Sequence, residues 1–114
     1  LYASFGDAMR PDLAGGTEPR LASVQRLAGA ARQPGPFATG LRNVQGLAFH
    51  PRTRELFAVD HGPSGMTQEG GRAGHDELNV LREGSWHGWG AQPVLDGQPV
   101  PHVPPVAVWK EAIA

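Results

Sequence analysis

Glycine and proline punctuate this chain so often that few runs reach ten residues without one, and that spacing constrains the fold more than any other feature. Proline removes a backbone donor and glycine costs helix stability, so long helices are poorly supported. Gly and Pro supply 27 of 114 residues, about 24%, near the level at which low-complexity disorder competes. Regular apolar runs between the turns favour a folded chain of short strands instead. Gln45–Phe49 (QGLAF) and Glu55–Val59 (ELFAV) are the best strand pair, with Pro51-Arg52-Thr53-Arg54 as a four-residue hairpin loop between them. Leu1–Phe5, Phe37–Leu41, Glu77–Leu81 and Val106–Trp109 read as further strands, and Leu21–Leu27, with neither face clean, as a strand in preference to a helix. Gly29–Pro36 reads as a linker, Asp60–Gly74 as a long loop, and Pro93–Pro105 as a Pro-rich loop with a turn at Asp96-Gly97. Strands spaced by turns without helices predict an antiparallel all-β architecture: sandwich, barrel or propeller blades.

Composition removes several function classes. A formal charge of −1 provides no field to gather nucleic acid. No apolar run approaches 18 residues, so no transmembrane helix is expected. The absence of cysteine excludes disulfides and thiolate metal sites. The chain starts Leu-Tyr-Ala-Ser-Phe and stops Glu-Ala-Ile-Ala without a closing turn, so both ends read as cuts through a longer protein.

The polar clusters gather at strand ends, where β-proteins place binding groups. Arg42-Asn43 precedes the QGLAF strand, and a guanidinium fork beside an amide suits carboxylates and carbonyls. His61-Gly62-Pro63 follows the ELFAV strand. Carbonyls of such a turn suit a hard cation such as Ca²⁺, and His61 can hydrogen-bond a ligand. Asp76-Glu77 enters the next strand with its carboxylates on opposite faces, one available to a site and the other to a structural cation. Trp86-His87-Gly88-Trp89-Gly90 offers aromatic walls and a tight turn. Each motif alone has a plainer reading as an exposed turn, a solvated strand start or aromatic packing. The five histidines lack zinc-ligand spacing, and no phosphate loop or nucleophile elbow occurs. The strand order places Arg42, Asn43, His61 and Gly62 at one end of one sheet.

Taken together, these motifs resemble the soluble pyrroloquinoline-quinone (PQQ)-dependent glucose/sorbosone dehydrogenases. The resemblance rests on Gly40-Leu41-Arg42-Asn43-Val44-Gln45-Gly46-Leu47-Ala48-Phe49, Asp60-His61-Gly62-Pro63, Asp76-Glu77-Leu78-Asn79 and Gly84-Ser85-Trp86-His87-Gly88-Trp89. Tyr2–Ala8 and Val108-Trp109-Lys110 add landmarks; the match is strong over 41–90 and thin outside it. It implies a fragment of a six-bladed β-propeller, about one and a half to two blades, with the cofactor at the mouth of the central channel. It further implies that Arg42, Asn43 and His61 contact PQQ and that the carbonyls of Gly62 and Pro63 bind Ca²⁺. Asp76 would support that ion through water, and Glu77 would serve a structural Ca²⁺. The implied parent oxidises an aldose at its anomeric carbon, passes electrons to an acceptor, and works in the periplasm or outside the cell.

The sequence departs from the family pattern at Val44, which replaces a proline and would loosen the turn that aims Asn43. Trp86-His87 replaces Asn-Tyr, and the Ser64–His75 loop is longer than usual. The family's catalytic His precedes anything present, so no residue is expected to act as the general base. The chain alone is therefore expected not to oxidise sugars, and open edges with exposed apolar faces predict marginal stability or self-association. The rival reading is a non-catalytic propeller binding module; a third is a piece with no activity of its own.

Overall fold

The computed structural model describes residues 1–110 except 17, 70, 72 and 73; the expected open C-terminal end and part of the long 64–75 loop fall outside the described residues. Ten strands and one short 3₁₀ turn are described: β1 (Tyr2–Phe5), β2 (Ser23–Ala28), β3 (Gln33–Thr39), β4 (Val44–Phe49), β5 (Leu56–Asp60), the turn Thr67–Glu69, β6 (Asp76–Leu81), β7 (Ser85–Trp86), β8 (Val94–Leu95), β9 (Gln98–Pro99) and β10 (Ala107–Trp109). They form two four-stranded sheets, ordered β1-β2-β3-β7 and β10-β6-β5-β4, plus the β8-β9 hairpin. The all-β expectation holds. β4 and β5 are antiparallel neighbours as predicted, with Phe49 opposite Leu56 and Leu47 opposite Ala58.

Three local expectations need correction. The supposed linker at 29–36 is a hairpin: Gly29 takes φ 72° in the turn, and Gln33–Pro36 belong to β3, paired with β2. Pro34 and Pro36 disguise the strand, yet they are tolerated because β3 pairs with β7 only at Ala38 and Thr39. Their missing amide hydrogens therefore cost no second ladder. The Trp86 segment is more than a turn, since β7 completes the first sheet by a short parallel pairing with β3. The Pro-rich stretch contains the β8-β9 hairpin, turned at Asp96 (φ 50°) and Gly97 (φ 75°), a conformation that Asp-Gly favours.

The core lies between the sheets. Val24 and Ala38 come from the first, Val44, Leu56, Ala58 and Leu81 from the second, and Leu41 lies in the link between them, fully buried. Tyr2 closes it by edge-on contacts with Phe37 and Phe49 at 4.9 and 5.6 Å. Phe5, Phe49, Val106 and Val108 remain exposed. Among the described residues, no helix is long and apolar enough to cross a membrane.

What the fold does for function happens at one end of β4, β5 and β6. A bulge at Gln45, where the register passes from Val44–Asp60 to Gly46–Val59, bends the entry to β4 beside Arg42 and Asn43. β6 starts at Asp76, so the chain leaving β5 and the chain entering β6 meet at that same end.

Candidate functional site

Asp60, the last residue of β5, organises the entry to β4. Its carboxylate accepts the backbone N–H of Arg42 at 2.9 Å and of Asn43 at 2.6 Å, fixing both residues against the end of their neighbouring strand. The turn expected to be loosened by Val44 is thus held by Asp60. Val44 is itself buried in the core. His61 N–H donates to the Asn43 carbonyl at 3.0 Å, so the four residues predicted to converge do so. Burial pushes the Asp60 carboxyl up to about 7, helped by the nearby charge of Glu77; the two backbone donors and Arg42 act against it.

Arg42 itself is 5% exposed. Its Nε–H donates to Glu69 Oε1 and its Nη1 to the His61 carbonyl at 3.2 Å, while its remaining N–H groups make no hydrogen bond among the described residues. Glu69 is fully buried and also accepts from Ser64 N–H at 2.9 Å and Met66 N–H at 3.1 Å. Burial works to raise its pKa, but the Met66 amide, the Arg42 guanidinium and the Ser64 amide outweigh it and hold the carboxyl below the usual range.

The Gly62-Pro63 turn packs directly on Gly74-His75. A Cβ on Gly62 would lie 2.1 Å from the His75 carbonyl oxygen, and one on Gly74 would lie 2.4 Å from Pro63 Cδ, so both positions need glycine for space. Gly62 N–H donates to Asp76 Oδ1 at 3.0 Å. The Pro63 carbonyl accepts from Gly74 N–H at 2.9 Å and keeps a second lone pair. Gly62 is buried, and its carbonyl accepts no hydrogen bond among the described residues. His61 Nδ1 approaches Asp76 Oδ1 to 3.3 Å without an aligned hydrogen bond.

These groups border a cleft of about 540 Å³ between the two sheets, lined by Arg42, Asp60, Gly62, Pro63, His75 and Glu77 on one side. Trp86, His87, Trp89 and His102 line the other. Four of the seven residues singled out from sequence (Arg42, Gly62, Pro63 and Glu77) line it. His61 and Asp76 stand behind it. Asn43 faces a second hollow of about 420 Å³, shared with Arg42, Phe5 and Met9. Trp89 is anchored by its Nε1–H to Asp7 Oδ2 at 3.0 Å. His87 sits in a buried string, with Nδ1 3.2 Å from Asn79 Oδ1 and Nε2 2.9 Å from Ser85 Oγ. Burial and the neighbouring His102 lower its pKa to about 4, against the Val103 backbone, so it is neutral at pH 7.

The donor set can be matched to the implied cofactor and cation. The cleft is roomy enough for a planar heteroaromatic molecule and is walled by two indoles. Arg42 offers N–H groups that lack a partner among the described residues to carboxylates or a quinone oxygen. Glu77 opposes an anionic ligand unless a cation intervenes, and the Gly62 carbonyl is a hard donor that accepts no hydrogen bond among the described residues, suited to Ca²⁺. Among the described residues no three His, Asp or Glu side chains cluster to hold a metal, so a cation here would depend on carbonyls and on single carboxylates. The residues fit the cofactor and cation together better than the cofactor alone.

Neither Asp60 nor Glu69 is among the site residues to which the sequence points, although Asp60 belongs to one of the family-like motifs. Asp60 carried a signal, being the acid that ends a strand immediately before His-Gly-Pro. Glu69 carried none, because its partner lies 27 residues away.

A family model for glucose/sorbosone dehydrogenase matches residues 1–114. The uncharacterized protein slr1608 of Synechocystis sp. is 34% identical over 92 residues, covering 71% of this chain and 20% of that protein. A Thermus thermophilus structure described as an oxidoreductase (glucose dehydrogenase) superimposes with a TM-score of 0.71 at 28% identity, over 97% of this chain and 36% of that one. The soluble aldose sugar dehydrogenase of Escherichia coli, in its apo form, gives 0.66 at 20% identity over 98% and 37%, a likeness of fold. This chain thus spans a fifth of the first relative and little more than a third of the structures. Those sugar dehydrogenases are propellers, and the two four-stranded sheets described above correspond to a fragment of that architecture. Because the family model runs through every motif assembled at the cleft, the chain belongs to the glucose/sorbosone dehydrogenase family.

Proposed function

We propose that this chain supplies part of the cofactor- and cation-binding floor of a PQQ-dependent aldose dehydrogenase. The observation that carries the reading is the meeting, on one cleft, of a buried guanidinium with a glycine carbonyl, the first incompletely paired and the second without a hydrogen-bond partner among the described residues. When bound, PQQ supplies the two-electron acceptor for oxidation of an aldose at its anomeric carbon, and Ca²⁺ supplies Lewis acidity. In this reading Arg42 would hold the cofactor through its remaining N–H edge and favour negative charge on an oxygen placed there. The Gly62 and Pro63 carbonyls hold Ca²⁺, Asp76 fixes the turn that presents them, and Glu77 adds a carboxylate near the ion. Asn43 and His61 contribute from behind, through the hydrogen bond that locks the two strand ends. Trp86 and Trp89 exclude water from the opposite wall. No residue of this chain is assigned the general base. The substrate class is an aldose, the second partner an electron acceptor, and the compartment periplasmic or extracellular.

The test is an absorbance titration of PQQ into the full chain, with Ca²⁺ and with chelator. The reading predicts binding that needs Ca²⁺ and weakens at least about tenfold in Arg42→Ala, with the exposed Arg52→Ala as control. Equal affinity with chelator, or no effect of Arg42→Ala, would return the chain to the non-catalytic recognition reading.

A further inference from the structure

We propose that Glu69 is a positioning residue for Arg42, holding the guanidinium by its Nε edge so that its Nη edge is delivered to the cleft. The inference rests on the reading of Arg42 as a ligand-facing cation. Both side chains are almost fully removed from solvent, at 6% and 0% exposure, so the pair is not a solvated surface bridge. One Glu69 oxygen takes Arg42 Nε–H and the other takes the amides of Ser64 and Met66. The carboxylate is therefore fixed by its own chain before it fixes the arginine. The His61 carbonyl holds Nη1 from the second side, which leaves Nη2 as the terminus without a partner among the described residues. Held at Nε and at Nη1, the planar group has little rotational freedom left. The same carboxylate ties the segment after Pro63 to Arg42, so the cation and the carbonyl turn keep a set separation along one wall of the cleft.

A second consequence concerns charge. Glu69 offsets the cation it aims, so an anionic ligand meets a directed donor edge more than a net positive charge. Selectivity should then favour ligands with a carbonyl or quinone oxygen at that edge over compact anions such as sulfate.

The test is a double-mutant cycle on the full chain with Glu69→Gln, Arg42→Lys and the pair, reading PQQ affinity in Ca²⁺ and melting temperature. Glu69→Gln places an amide against the Ser64 and Met66 donors and should weaken PQQ binding about tenfold, within the range for coupled neighbours. In the Arg42→Lys background the same change should weaken binding less than twofold, because the fork that Glu69 aims is gone. Equal losses in both backgrounds would mean general destabilisation and overturn the proposal. Should Glu69→Gln not fold, Glu69→Asp keeps the charge but withdraws it by one methylene, and the same comparison decides. If the wild type binds no PQQ, the functional reading fails and the Arg42 Nε–H signal in a nitrogen-15 spectrum decides alone. A slowly exchanging signal that shifts in Glu69→Gln or Glu69→Asp supports the positioning role, and a fast-exchanging one in the wild type overturns it.

Discussion

Replacing Asp60 by Asn removes a carboxyl whose pKa burial raises from 3.8 to about 7. Such a group binds its proton more tightly folded than unfolded. Its contribution to stability is fully present below pH 3.8 and is lost as pH rises through about 7. At about 1.4 kcal/mol per pH unit this interval amounts to roughly 4 kcal/mol, a large share of a typical domain's roughly 5–15 kcal/mol. His87 runs the other way: burial and His102 depress it from 6.5 to about 4. Its contribution is present above 6.5 and is lost as pH falls through about 4, worth roughly 3 kcal/mol on the same scale. Between about pH 4 and 6.5 the two slopes oppose each other, so in the wild type this pair adds almost no pH dependence. Asp60→Asn should leave His87 unopposed, and stability should then climb with pH relative to wild type by about 1.4 kcal/mol per unit. The substitution also sets an amide N–H against one of the two backbone donors at Arg42 and Asn43, which lowers the whole curve by about 1–3 kcal/mol. An offset is separable from a slope. Urea denaturation at half-unit steps from pH 4 to 7.5 gives both, and His87→Gln should tilt the curve in the opposite sense. Parallel curves for wild type and Asp60→Asn would refute the reasoning.

Gly62→Ala puts a Cβ 2.1 Å from the His75 carbonyl oxygen. Because backbone must move, the variant should lose Ca²⁺-dependent PQQ binding and melt lower, as a Ca²⁺ titration with a melting curve would read. Leu41→Ala empties a fully buried position in the link between the sheets. It should cost about 2–5 kcal/mol by denaturant titration. Trp89→Phe keeps a six-membered aromatic ring but removes the pyrrole ring and with it the Nε1–H bond to Asp7. A cost of about 1 kcal/mol is expected, with a weaker PQQ affinity if this wall shapes the cleft.

The strands that sequence revealed are those whose apolar periodicity is local. Gln45–Phe49 and Glu55–Val59 are each short and β-rich, and the loop between them is close to the preferred length, so their pairing needs no distant information. The first half of β3, Gln33–Pro36, was hidden because prolines mark turns by default, and only the absence of a long second partner strand makes them tolerable there. β7 was hidden because two residues carry no period. The same division holds for the site. Arg42, Gly62, Pro63 and Glu77 were legible as strand-end motifs, and together they line the cleft. What a single sequence does not carry is the partner of each polar group. Asp60 capping two amides, Glu69 buried against Arg42, and Asn43 turning to the second hollow all depend on contacts across the fold.

The central claim is that a cation and a quinone share the cleft between the sheets, and a crystal of the full chain grown with PQQ and Ca²⁺ tests it through the anomalous signal of calcium. The account predicts a peak at about 2.3–2.6 Å from the Gly62 and Pro63 carbonyl oxygens, with cofactor density beside Arg42. A calcium peak away from that turn, or a quinone bound outside the cleft, would contradict it.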